Sequence, residues 1–101
     1  MHVNDVVNAI LKSLISEKAR GQIINVASGK EITILKLISL ISDEMGYNGK
    51  FDYEPPRKAD LRRHKGDISL AKNLVNLEPK ISFEEGIDST VKWYRKILSE
   101  N

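Results

Sequence analysis

Apolar residues recur three and four apart along the first stretch of the chain: Val3, Val7, Ile10, Leu11 and Leu14. Asn8, Lys12 and Ser16 fall on the other side. That spacing predicts an amphipathic helix from about Asp5, a natural N-cap, to about Glu17. "KARG" ends it, with Gly21 available for the turn. "QIINVA", residues 22–27, reads as a short strand because Ile23, Ile24 and Val26 are β-branched and turn residues flank them. Thr33 is the expected N-cap of "ILKLISLISDEM", which Gly46 closes. Ile34, Leu35, Leu37, Ile38, Leu40, Ile41 and Met45 cover more than half of that helix. A solvent-facing helix needs a narrower stripe, so this one is expected to lie buried between layers.

Asn48-Gly49 turns the chain into "KFDYE", residues 50–54, a second strand. Strand, helix and strand in this order form a βαβ unit with parallel strands and a right-handed crossover. Pro55 and Pro56 stop the second strand, since neither can donate to a ladder. Asp67 then caps a short helix that turns Ile68, Ala71, Leu74 and Val75 inward. Ser82 and Glu85 form a capping box for the last helix, whose stripe is Phe83, Ile87, Val91, Tyr94 and Leu98. The expectation is α/β: a single small domain over residues 1–101, with two or three short parallel strands and about four helices. So thin a sheet leaves apolar surface that something else should cover.

Composition narrows the function classes. The chain has 101 residues, 41% apolar and 30% charged, with a net charge of +2. That describes an ordinary globular domain with one modest core. The absence of cysteine excludes disulfides, thiolate nucleophiles and cysteine zinc sites. His2 and His64 lie far apart and form no metal-ligand spacing. No apolar run approaches the roughly 20 residues that span a bilayer. "MHVNDVV" lacks the layout of a signal peptide, so no membrane contact and a cytoplasmic setting are expected.

The densest charge is "EPPRKADLRRHKGDIS", residues 54–69, in which Arg57, Lys58, Arg62, Arg63, His64 and Lys65 surround Asp60. Arginine's planar fork suits phosphate oxygens, and the prolines stiffen the approach to it. Charged loops are also often only solvated. "GQIINVASGKE" resembles a phosphate-binding P-loop superficially, but its glycines are too far apart and Glu31 follows Lys30 where a hydroxyl should stand. No catalytic constellation stands out, and His2 reads as a packed or hydrogen-bonded side chain and not as a base. A small nucleic-acid binder, or another free-standing interaction module, is the alternative. The weak net charge and the mixed signs on both late helices argue against a nucleic-acid track.

Four motifs in order carry a family resemblance. "HVNDVVNAILKSL", "GQIINVASGKEITILKLISLI", "PPRKADLRRHKGDISLAKNLVNLEPKISFEEGI" and "VKWYR" resemble successive segments of the extended short-chain dehydrogenase/reductase family, the NAD-dependent nucleotide-sugar epimerases and dehydratases. The resemblance is to the C-terminal, substrate-binding part of UDP-glucose 4-epimerase-like members and covers nearly the whole chain. Ala27, Ala59, Leu70, Asn76 and Leu77 depart from the family pattern, and Asn4 stands where aspartate is common.

The resemblance implies a role for single residues. Arg57 falls where the family's arginine holds the diphosphate of a UDP- or dTDP-sugar, and Asp60 where an acid meets the ribose. Arg62 and Arg63 would add auxiliary phosphate charge. No catalytic, cofactor-binding or metal-binding residue is expected in this chain. Its parent enzyme would use NAD, bound by a Rossmann domain that these residues do not contain. That domain would cover the leftover apolar surface, and a homodimer is expected.

Overall fold

The computed structural model describes residues 1–100, and helices are its only regular elements apart from one short turn. Helix α1 spans Val3–Ile15, α2 Ile34–Met45, α3 Ser69–Val75 and α4 Phe83–Glu100, and Glu17–Ala19 make a single 3-10 turn. α1 is capped by His2 instead of Asp5. The Asn4 N–H donates to His2 Nδ1 at 3.2 Å. With Nδ1 accepting, the ring proton sits on Nε2, which meets Ser89 Oγ at 3.3 Å. His2 thereby starts α1 and ties it to α4, in line with the reading of this residue as hydrogen bonded.

The amphipathic pattern of α1 is real, but its sense within this chain is inverted. Val3, Val7, Ile10, Leu11 and Leu14 all face solvent, Leu14 at 77% exposure, while Asp5 and Ala9 are buried. The polar side turns inward where Asp5, Lys12 and Ser16 find specific backbone partners. Asp5 accepts from the N–H groups of Lys80 and Ile81 at 3.0 and 3.1 Å. Lys12 donates to the Asn76 carbonyl at 2.7 Å, and Ser16 to that of Leu74 at 2.8 Å. The last two satisfy carbonyls that the end of α3 would otherwise leave open.

Around these bonds lies the core: Ala9, Ala19, Ile68, Ala71, Val75 and Leu77, with Leu74 packed against it. Ile68, Ala71 and Val75 point inward as their spacing predicts. Small alanines let α1 and α3 approach, and Leu77 is the largest side chain removed completely from water. Asn76 makes the bend after α3 at φ 51°, a left-handed conformation that asparagine tolerates better than most residues.

α2 and α4 pack together as the second unit of the fold. Thr33 Oγ1 accepts from the Lys36 N–H at 3.1 Å, and Gly46 at φ 67° ends α2, both as expected. The capping box of α4 forms in full: Ser82 N–H donates to Glu85 at 2.8 Å and Glu85 N–H to Ser82 Oγ at 3.1 Å. These bonds hold the Glu85 carboxyl below its ordinary range. The Arg95 guanidinium reaches the carbonyl of Glu44 and joins the two helices at one end.

Two further sequence expectations fail. α2 has no buried residue; only its α4 side is covered, and Ile34, Leu35, Ile41 and Met45 are exposed. The parallel strands are also absent among the described residues. Residues 22–27 and 50–54 carry no strand, and no backbone hydrogen bond joins one to the other. β-branched composition gives a segment the capacity to pair, but a strand exists only when a second edge lies beside it. The βαβ expectation is therefore corrected to a helical arrangement with two unpaired segments.

The result is an open plate of 50 × 37 × 21 Å with a Cα radius of gyration of 17.0 Å. A compact chain of this length has a radius of about 13 Å. Its accessible surface is 8844 Å², against about 5,800 Å² for a compact monomer of this mass.

Candidate functional site

The candidate site residues lie in the connection between α2 and α3. From Pro55 to Lys65 every residue is exposed, so the segment is held by few contacts. Its centre is a tight turn. The Asp60 N–H donates to the Arg57 carbonyl at 3.1 Å, and the Arg57 N–H donates to Asp60 Oδ2 at 2.8 Å. The two residues singled out from the sequence are thus brought together through Asp60's own backbone and side chain. This leaves Asp60 Oδ1 as an acceptor and presents the Arg57 guanidinium to solvent. Among the described residues that guanidinium has no hydrogen-bond or ion-pair partner.

Arg62 is likewise exposed, whereas Arg63 is occupied. Its Nε and Nη2 donate to the two carboxylate oxygens of Glu31 at 3.0 and 2.6 Å, a bidentate fork. Arg63 holds the Glu31 carboxyl below its ordinary range, with Lys65 contributing, and Glu31 in turn raises Arg63. The sequence offered no signal for Glu31: it lies 32 positions away, in a turn noticed only for its failure as a P-loop.

The root of the segment is close-packed. A Cβ at Gly66 would come within 2.5 Å of the Ala27 Cβ, so only glycine fits there without displacing the chain. Asp67 then accepts from the Ser69 N–H at 2.9 Å and the Ser69 hydroxyl at 2.6 Å, which fixes the entry to α3 and lowers the Asp67 carboxyl.

Chemically, the turn presents one cation and one open carboxylate oxygen to solvent. A cavity of about 670 Å³ lies between α1, the 3-10 turn and residues 22–26, and one of about 440 Å³ lies at the root of the segment. Neither includes Arg57 or Asp60, which sit on open surface. No group of acids and histidines able to hold a metal occurs among the described residues. Nor do these residues fit a dinucleotide. Among the described residues no glycine-rich turn joins a strand to a helix. No described helix is long and apolar enough to cross a membrane.

No family model matches the chain. It is 37% identical over 97 residues to UDP-glucuronate 4-epimerase of Thermodesulfobacterium geofontis, covering 94% of this chain and 29% of that protein. Against UDP-glucose 4-epimerase of Mycolicibacterium smegmatis it is 32% identical over 93 residues, 92% of this chain and 29% of the relative. Among solved structures it is similar to UDP-glucose 4-epimerase of Thermotoga maritima, determined with UDP-glucose. The TM-score is 0.88 at 36% identity, covering 95% of this chain and 30% of that one. The resemblance read from the motifs is therefore borne out: in sequence and fold the chain is UDP-glucose 4-epimerase-like, and it spans about 30% of the length of the relatives it matches.

Proposed function

We propose that the chain is the substrate-binding part of an extended short-chain dehydrogenase/reductase, an NAD-dependent nucleotide-sugar epimerase or dehydratase. In this reading Arg57 neutralises the diphosphate of a UDP- or dTDP-sugar. Asp60 accepts from the ribose through the carboxylate oxygen its turn leaves open, and Arg62 adds auxiliary charge. The observation that carries the reading is the likeness, at a TM-score of 0.88, to an epimerase structure determined with UDP-glucose. The solvent-facing Arg57 turn supplies the chemistry for it. Hydride transfer and proton abstraction would belong to a Rossmann domain with its NAD, so the chain alone is inactive. A cytoplasmic setting goes with this role.

Titration of the chain with UDP tests it. Amides around Arg57 are expected to shift, and Arg57→Ala to weaken binding about ten- to a hundredfold, the worth of charge-assisted bonds to phosphate. Silence toward UDP, with binding to DNA of any sequence on a steep salt slope, would favour the nucleic-acid alternative instead.

The open shape supports the second element of the proposal. The outward stripe of α1 and the free side of α2 are the surfaces a Rossmann domain would cover. When the chain is alone, a second copy is the simplest cover, so it should self-associate as a homodimer. Sedimentation equilibrium at rising concentration should show the mass doubling; a single monomeric species throughout would contradict this.

A further inference from the structure

The Arg57 turn sits on a segment with almost no tertiary support. Between Asn48 and Gly66 the only hydrogen bonds to a separate segment, among the described residues, are those from Arg63 to Glu31. All other bonds there are local: Tyr47 Oη to the Lys50 carbonyl, and the Arg57–Asp60 pair. On one side Pro55 and Pro56 limit the chain's freedom. On the other, the fork on Glu31 shortens the free arc between the turn and its close-packed root at Gly66.

We propose that the Glu31–Arg63 ion pair is a latch that holds the Arg57 turn where a ligand meets it, making both of them positioning residues instead of ligands. The proposal rests on the reading of Arg57 as the diphosphate ligand. An exposed pair of this kind adds little to global stability, and both side chains are solvent-accessible. Its effect falls on the segment it tethers, where nothing else competes for control. Arginine is suited to the task because its rigid fork fixes direction as well as distance, which an ammonium cannot do. If release leaves one molecule in five with the turn in place, the apparent dissociation constant rises about fivefold.

The sign of one substitution separates the latch from plain electrostatics. Glu31→Ala removes a negative charge beside a basic segment, so simple attraction predicts tighter UDP binding. The latch predicts weaker binding. Arg63→Lys keeps the charge and loses the fork, so plain charge predicts no change and the latch again predicts weakening. Both variants are to be compared with the unmodified chain by 15N heteronuclear NOE at amides 57–65 without ligand, by UDP titration, and by urea denaturation. The expected result is lost order at these amides, UDP binding weaker by about fivefold, and an unmoved urea midpoint. Amides that stay ordered in Glu31→Ala, or tighter UDP binding by it, would overturn the latch. Arg57→Ala should weaken UDP binding about ten- to a hundredfold while leaving the amides ordered. If the unmodified chain ignores UDP, the reading of Arg57 fails, and the relaxation data alone decide whether the latch exists.

Discussion

Replacing Asp5 by alanine is expected to destabilise the fold by about 3 kcal/mol, the scale of two charge-assisted bonds lost and two donors left without partners. Asp5 is only 4% exposed, and its two oxygens take the N–H groups of Lys80 and Ile81. Those amides belong to the turn that leads into α4, so one side chain joins the first helix to the start of the last. Asp5→Asn keeps the shape but can offer only one oxygen; its amide group would face the second N–H donor to donor. It should therefore cost most of what alanine costs. Urea denaturation followed by circular dichroism should show both midpoints lowered by more than about 1 M. An asparagine variant as stable as the unmodified chain would show that Asp5 fills space and that its carboxylate is dispensable.

Three of the helix-end signals were legible because they are written locally, although the cap of α1 fell on His2 and not on Asp5 and that of α3 on Ile68 and not on Asp67. Thr33, Gly46 and the Ser82–Glu85 box act within a few residues of themselves, and each does what its position predicts. For α1 the direction of burial was not legible. Periodicity says that one face of α1 is apolar; it does not say what covers it, and here Asp5 and Ala9 go inward while Leu14 stays out. The strands failed for the same physical reason: residues 22–27 and 50–54 have the composition for pairing, but a ladder depends on an edge that lies elsewhere.

The site divides along the same line. Arg57 and Asp60 are three residues apart, so their turn could be anticipated from the segment itself. The Glu31–Arg63 fork joins positions 32 apart and left no trace in spacing or composition. Long-range polar pairs of this kind are decided by how helices pack, and that packing rests on a few buried side chains.

Leu77 is the most consequential of these. Its side chain is fully removed from water in a core otherwise made of alanines, one valine and one isoleucine. Its N–H returns to the Ala71 carbonyl at 3.2 Å, closing the end of α3. Leu77→Ala should cost about 3 kcal/mol through lost transfer energy and the cavity left behind. Against the 5–15 kcal/mol typical of a whole domain, that is enough to populate unfolded chains in mild urea. Leu77→Met, which conserves volume, should cost less than about 1.5 kcal/mol. Because α3 begins at Ser69, two residues after Asp67, losing this anchor also frees the root of the Arg57 segment. The alanine variant should therefore respond to UDP only in proportion to its folded fraction, measured by circular dichroism in the same sample. A full UDP response from a largely unfolded sample would break the link between this core and the site.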